Sequence, residues 1–240
     1  MTMDDNVLAA MARWPDVPDV YGWLSLSESG HWRLHPTGDA CADGNDSNSL
    51  DSNDGPRTGS HAPSRGEGIT SPQILRFIDH NYGHDDQKRW FFQNGPQKVY
   101  VRVDAAPYIL HTQTASSANP CGLVTHNGLA VGAIREWCLD DSGKLYAQTD
   151  HGPGLVAGRD LAFILERLHT LDGQALLEIL ERYPDRKDPL DTQPLRGADT
   201  GPATPHNKNK RSSAKTPFQF AAATDIPRLL GFVRCPTPSK

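Results

Sequence analysis

Long apolar runs are missing from this sequence. No window approaches the roughly 18 consecutive apolar residues that a membrane-spanning helix demands. The first residues also lack the start of a secretion signal: Asp4 and Asp5 stand where basic residues would, and Val7 to Ala12 is too short for its apolar region. Hydrophobic residues make up only 37% of the 240, below the roughly 45–50% of ordinary globular chains, a tally that also counts Gly, so a core is expected over part of the chain only. Positive charge is not in surplus. Lys+Arg 24 against Asp+Glu 29 leaves a net charge of -5, which disfavours a nucleic-acid partner and gives no pull toward an anionic membrane. The four cysteines form no C-x-x-C pair, and without secretory context reduced thiols in a soluble, cytoplasmic protein are expected. The phosphate-loop, dinucleotide, nucleophile-elbow and H-E-x-x-H signatures do not occur. No cofactor is expected.

What is present falls into stretches of contrasting composition. Residues 1–19 form an N-terminal segment. A first α+β unit is expected over 20–112, interrupted at 39–68 by a stretch in which Leu50 is the only large aliphatic residue before Ile69. Such a stretch cannot offset the entropy of ordering itself, so it reads as a disordered insertion within a turn. A second unit is expected over 121–183, then a proline-rich, basic linker over 184–216. The apolar segment 217–240 follows. Its Pro227 and Pro236 argue against a long helix or central strand, and its tether favours docking on its own domain over capturing another protein.

Within the units, Val20 to Leu26, the turn Ser27–Gly30 and His31 to Leu34 read as strand, turn and strand. Ser71 and Pro72 open a helix with a capping side chain and proline at its first position, and Ile74, Leu75, Phe77 and Ile78 then share one face up to Tyr82. Arg89 to Gln93 and Lys98 to Val103 form a hairpin about Asn94-Gly95-Pro96, followed by an extended segment over 106–112. In the second unit, hairpins are expected about His126-Asn127-Gly128 and Asp140–Gly143, with helices over 159–169 and up to Arg182. The fold class is therefore α+β: antiparallel hairpins in one or two small sheets, packed with a few helices. A faint internal repeat sets Trp23 to Gly30 beside Trp137 to Gly143, although hairpins in general reuse such turn residues.

The strings WPDVPDVYGWLSLSESGHWRL at 14–34, SPQILRFIDHNY at 71–82, RWFFQNGPQKVYV at 89–101, TDHGPGL at 149–155 and GFVRCP at 231–236 resemble an uncharacterised family of proteobacterial proteins with a domain of unknown function. Their order, with the D-x-x-P of Asp104 to Pro107, is also similar to a second bacterial family built of small α+β units. Neither resemblance implies an activity, so no catalytic residue is carried over. In the first family the strand after Trp32 runs directly through a short turn into the helix, which supports treating the intervening stretch as an insertion.

Three side chains are candidates for catalysis. Asp150 and His151 lie side by side in a glycine-rich loop, and His126 occupies a nearby turn; a histidine so placed could act as a general base. Neighbours on extended backbone point apart, however, and the alternative is a structured turn. Cys121, His126, Cys138, His111 and His151 are the possible zinc ligands, but their spacing lacks the paired ligands of a zinc module, and no metal is expected. For binding, the candidates are Trp90, Phe92, Gln93 and Asn94 of the aromatic hairpin, with Phe232 of the terminal segment. Aromatics among cations can stack bases, but alternation sends Trp90 and Phe92 to one face and Phe91 to the other, which favours core packing. The leading expectation is a non-enzymatic binding or adaptor module for an unknown protein or small-molecule ligand. The alternative is a small hydrolase or ligand-processing enzyme using His151 with Asp150 or His126.

Overall fold

Alternating side chains and a glycine turn build the first hairpin. Strand β1 (Val20–Leu26) turns into β2 (Trp32–Leu34), with Gly30 at φ 80°, a left-handed conformation that disfavours residues carrying a Cβ. The Ser27 hydroxyl accepts the backbone N–H of His31 at 3.0 Å. Strand β3 (Glu67–Gly68) then pairs antiparallel with β2, so the segments flanking the insertion are sheet neighbours. The computed structural model describes residues 5–42, 66–114, 116, 119–184, 186–195 and 215–238. Most of the expected insertion lies outside the described residues, but residues 39–42 form a turn and residues 67–68 form β3. The stretch is thus narrower than 39–68.

The next helix, α2 (Pro72–His80), begins with Ser71 at its N-cap and Pro72 in its first turn, but the serine hydroxyl makes no capping bond. It stops short of Tyr82 because Tyr82 opens β4 (Tyr82–His84), which pairs with β5 (Trp90–Asn94). β5 turns through Gly95 and Pro96 into β6 (Gln97–Val103), and Gly95 at φ 58° makes the tight loop possible. The six strands run in the order β3-β2-β1-β6-β5-β4, with β1 and β6 parallel. Helix α2 packs through Phe77, whose ring meets Phe92 edge-on at 5.4 Å, and through Asp79, which accepts the Trp32 indole N–H at 2.8 Å.

Two further parts belong to this unit. Helix α1 (Asp5–Arg13), which composition did not suggest, buries Val7. Residues 233–240 return to the first unit, leaving residues 106–232 as the second. The Val103 N–H donates to the Arg234 carbonyl at 2.9 Å, and Cys41 and Cys235 form a disulfide with Cα atoms 5.9 Å apart. This corrects the expectation of reduced thiols for that pair: the partners are 194 residues apart, and no local spacing marks them. Cys121 and Cys138 are free and buried.

The second unit begins with β7 (Tyr108–Thr112), β8 (Leu123–Thr125), β9 (Ile134–Asp140), β10 (Leu145–Thr149) and β11 (Pro153–Val156). Helices α3 (Gly158–Leu165) and α4 (Leu176–Arg182) follow, then β12 (Leu190–Thr192), β13 (Thr216–Ala221) and α5 (Ile226–Leu230). The seven strands are ordered β12-β13-β9-β10-β11-β7-β8. Part of the stretch read as a linker is therefore sheet, since a three-residue strand is too short to show an alternating pattern. The terminal segment also departs from expectation: β13 lies between β12 and β9, because Pro227 and Pro236 fall beyond the strand and leave Phe218 free to occupy the core.

The two units repeat one arrangement. In each, a hairpin (β1–β2, β9–β10) is followed by a third antiparallel strand (β3, β11) and a helix (α2, α3). A later strand (β6, β13) then returns parallel to the first. The registers coincide when Gly30 is set on Gly143: Leu26 pairs with Trp32 as Leu139 pairs with Leu145, and Leu24 with Leu34 as Trp137 with Ala147. Asp140 accepts the Lys144 N–H just as Ser27 accepts that of His31. The Gln93 N–H donates to the Asn81 carbonyl, and the Gln193 N–H to that of His169. Trp137 thus stands opposite Leu24, one residue away from the Trp23 match that the sequence suggests.

Candidate functional site

The catalytic candidates all lie in the second unit, each engaged with backbone. His151 donates through Nε2 to the Ala130 carbonyl at 2.8 Å. Asp150 accepts the Gly132 N–H at 3.1 Å, and His126 Nδ1 accepts the Ile109 N–H at 3.3 Å. These bonds hold three different backbone groups, those of Ala130, Gly132 and Ile109. Burial drives the pKa of His126 down to about 3, with His111 adding to the effect; the imidazole is neutral, as an accepting Nδ1 requires. His111 instead faces Asp160 at 3.4 Å, a carboxyl that also accepts the Thr112 hydroxyl at 2.6 Å. Burial pushes the Cys121 and Cys138 thiols up to about 11, which leaves them protonated and poorly nucleophilic. Among the described residues no three His, Cys, Asp or Glu side chains gather as a metal site, and no helix is long and apolar enough to cross a membrane.

The binding candidates divide. Trp90 is core, with its ring 5.0 Å from that of Tyr82. Gln93 is buried and donates its amide N–H to the Gly95 carbonyl at 2.9 Å. Phe232 is buried in the second unit after the left-handed Gly231. Phe92 and Asn94, by contrast, line a groove of about 650 Å³ in the first unit.

That groove is built from the sheet upward. Val20 and Leu24 of β1, Val99 of β6 and Phe92 of β5 form its floor, and Leu34 and Ile69 close the side next to β3. Helix α2 supplies the opposite wall through Ile74, Phe77 and Ile78, the periodic stripe legible in the sequence. Of these three only Ile78 is buried; Ile74 remains 51% and Phe77 36% exposed. Trp23 and Leu34 add indole and aliphatic surface at 43% and 41% exposure. The sequence does not mark Trp23, Leu34, Ile74 and Phe77 as binding residues, because periodicity marks a face as apolar without saying whether anything covers it. The polar members of the lining are the Asn94 and Gln97 side chains, across the end of the β5–β6 hairpin.

The opposite side of this hairpin is polar and closed. Arg89 donates to Asp85 at 2.8 Å and to the Tyr100 hydroxyl at 3.0 Å, while the Tyr100 ring stacks on Tyr21 at 4.6 Å. Burial opposes ionisation of Asp85, but hydrogen bonds from Arg89 and Tyr100 prevail and hold its carboxyl below the usual range. Every member of that cluster has a partner within it, whereas Trp23, Leu34, Ile74 and Phe77 of the groove face solvent.

Residues 3–237 match the model of the family DUF2944, described as "Protein of unknown function (DUF2946)". The chain belongs to this family. The DUF2944 match spans both units and includes all twelve groove residues. No curated protein matches the chain. Among solved structures, the chain is similar to a DUF1285 family protein from Silicibacter pomeroyi DSS-3, at 14% identity, covering 75% of this chain and 81% of that one with a TM-score of 0.41. It is also similar to a DUF1285 family protein from Shewanella baltica OS155, at 13% identity, covering 60% and 90% with a TM-score of 0.38.

Proposed function

We propose that this DUF2944 member is a non-enzymatic binding module whose first unit takes up a ligand in the groove beneath α2. The observation that carries this reading is the open apolar stripe: Trp23, Leu34, Ile74 and Phe77 all face solvent around one recess. Contiguous exposed apolar surface of this kind marks a binding site more often than chance packing, and covering it returns about 25 cal/mol for each Å² removed from water. The second unit supports the reading as well, since Asp150, His151 and His126 are each engaged with a different backbone group and an enzyme needs such groups aimed at one reacting centre. A cytoplasmic setting, expected from the lack of a secretion signal in the sequence, would expose the Cys41–Cys235 disulfide to cellular reductants.

The test uses the full chain and N-phenyl-1-naphthylamine, an uncharged fluorophore that brightens in apolar surroundings. A saturable rise in emission is expected, lost in Phe77→Glu and also in Ile74→Glu, whose side chain is 51% exposed and whose melting temperature should stay close to the parent's. Emission that ignores Phe77→Glu overturns the groove as the site. Hydrolysis of 4-nitrophenyl acetate that disappears in His151→Ala overturns the non-enzymatic assignment.

A further inference from the structure

We infer that the groove of the first unit accepts an uncharged small molecule with a mainly hydrocarbon body, seated with one neutral hydrogen-bonding group at Asn94 and Gln97. The inference rests on the binding reading above and adds the chemistry of the occupant. Its first support is charge. The lining contains aliphatic and aromatic side chains and two amides, with no ionisable side chain among them. A charged ligand placed there would lose hydration and find no counter-charge, a cost of several kcal/mol that hydrocarbon contact does not offset.

The second support is the placing of the polar groups. Asn94 and Gln97 are cross-strand partners at the hairpin end, so the two amides of the lining collect at that end of a largely apolar floor. Gln97 donates its amide N–H to the Pro18 carbonyl at 3.0 Å, and its side-chain oxygen keeps its capacity to accept. Asn94 is exposed and can both donate and accept. An alcohol, amide or ester suits such a pair.

The third support concerns what the surface withholds. The floor is a sheet face, where the strands' N–H and C=O groups are directed along the sheet toward neighbouring strands. An extended peptide laid there would bury its own amides without partners, so strand addition does not describe the site. The volume of about 650 Å³ falls within the roughly 300–1,000 Å³ typical of small-molecule sites.

A matched pair of probes separates this inference from the reading beneath it. N-phenyl-1-naphthylamine and 8-anilinonaphthalene-1-sulfonate share one aromatic body, and only the second carries a charge. The neutral probe should bind the full chain at one site and at least about tenfold more tightly than the sulfonate. Dodecanol should displace it more readily than dodecanoate, and Asn94→Ala should raise the dodecanol needed by about fivefold, the worth of one hydrogen bond. Equal or tighter binding of the sulfonate, or equal displacement by dodecanoate, overturns the neutral class while the groove stands as a binding site. No saturable binding of either probe, or binding indifferent to Phe77→Glu, instead breaks the reading of the groove itself. Sedimentation supplies the remaining arm: a dimer that dissociates in Phe77→Glu would assign the groove to a second copy of the chain and overturn the small-molecule inference.

Discussion

The first and second units lay down the same hairpin with the same parallel strand beside it, but furnish equivalent positions with opposite chemistry. Where the first has Trp23, Leu34, Phe92 and Val99, the second has Glu136, Ala147, Thr192 and Thr216. Ala147, Thr192 and Thr216 are buried, so the strand arrangement closes with small and polar residues at these places. The exposed Trp23 and Leu34 of the first unit are therefore surplus to the fold. Leu24 and Trp137 make the contrast sharper, because the second unit puts its largest side chain at that position and buries it completely. An apolar excess that a sister arrangement does without points to recognition.

The widest gap between the units should appear on reduction. The first unit is closed by Cys41–Cys235, while the second holds only free, buried thiols. By chain-entropy arithmetic, a loop of about 194 residues corresponds to about 5 kcal/mol. Cys235→Ser or dithiothreitol should lower protection from hydrogen exchange across β1–β6 and spare β9–β11. Equal loss in both sheets would erase the distinction.

Next in size is the core of the second unit. Trp137→Ala should cost about 3–5 kcal/mol in urea unfolding, since its indole is fully enclosed. A cost below about 1 kcal/mol would mean that the position tolerates vacancy as an exposed surface site does.

A smaller effect separates the units by pH. Each has a histidine held neutral chiefly by burial: His35, whose Nε2 lies 2.8 Å from the Ser25 hydroxyl, and His126, lowered to about 3. In the unfolded chain such a group takes up a proton near pH 6.5. The unfolded state then binds more protons than the native one between about pH 6.5 and 3, so stability is fully present above pH 6.5 and declines as the pH falls through that window. His126 contributes at most about 1.4 kcal/mol per pH unit, less the part that solvent screens. His126→Asn, which retains an acceptor for the Ile109 N–H, should flatten the acid limb of a stability-versus-pH curve; an unchanged slope would show that His126 does not carry the linkage.

The least effect is expected from copying the second unit into the first. Trp23→Glu reproduces Glu136 at an exposed position and should move stability by less than about 1 kcal/mol while weakening the naphthylamine signal. A large loss of stability would show that the indole, which lies close to Gly38, is structural.

Legibility in the sequence followed the range of the interactions. Turns marked by Ser27–Gly30, Asp140–Gly143 and Gly95 were readable because a backbone conformation demands its residues locally. The α+β class followed from the same signals. β12 and β13 were hidden: three residues cannot show a period, and the role of Phe218 depends on β9, some 80 positions earlier in the chain. Asn94 and Phe92 were marked for being aromatic and polar near a turn, and both reach the groove. Trp90 has the same character and, by alternation, the same face as Phe92 but a different fate, since it packs against Tyr82 of β4, a neighbour that alternation along β5 does not show. The groove stayed invisible for a related reason: Ile74 and Ile78 look alike in a helical stripe, and only the position of α2 over the sheet leaves one open and hides the other.

The return of residues 233–240 to the first unit has a consequence for synthesis. Domains usually form in the order in which they leave the ribosome. Here the second unit, residues 106–232, is continuous in sequence and can complete itself once β13 and α5 have emerged. The first unit is begun earlier but lacks its Val103–Arg234 hydrogen bond and its disulfide until residues 234 and 235 have been made. The half made first is finished last: β1–β6 and α2 have all been made by Val103, but their disulfide closure waits through the making of the whole of the sister unit.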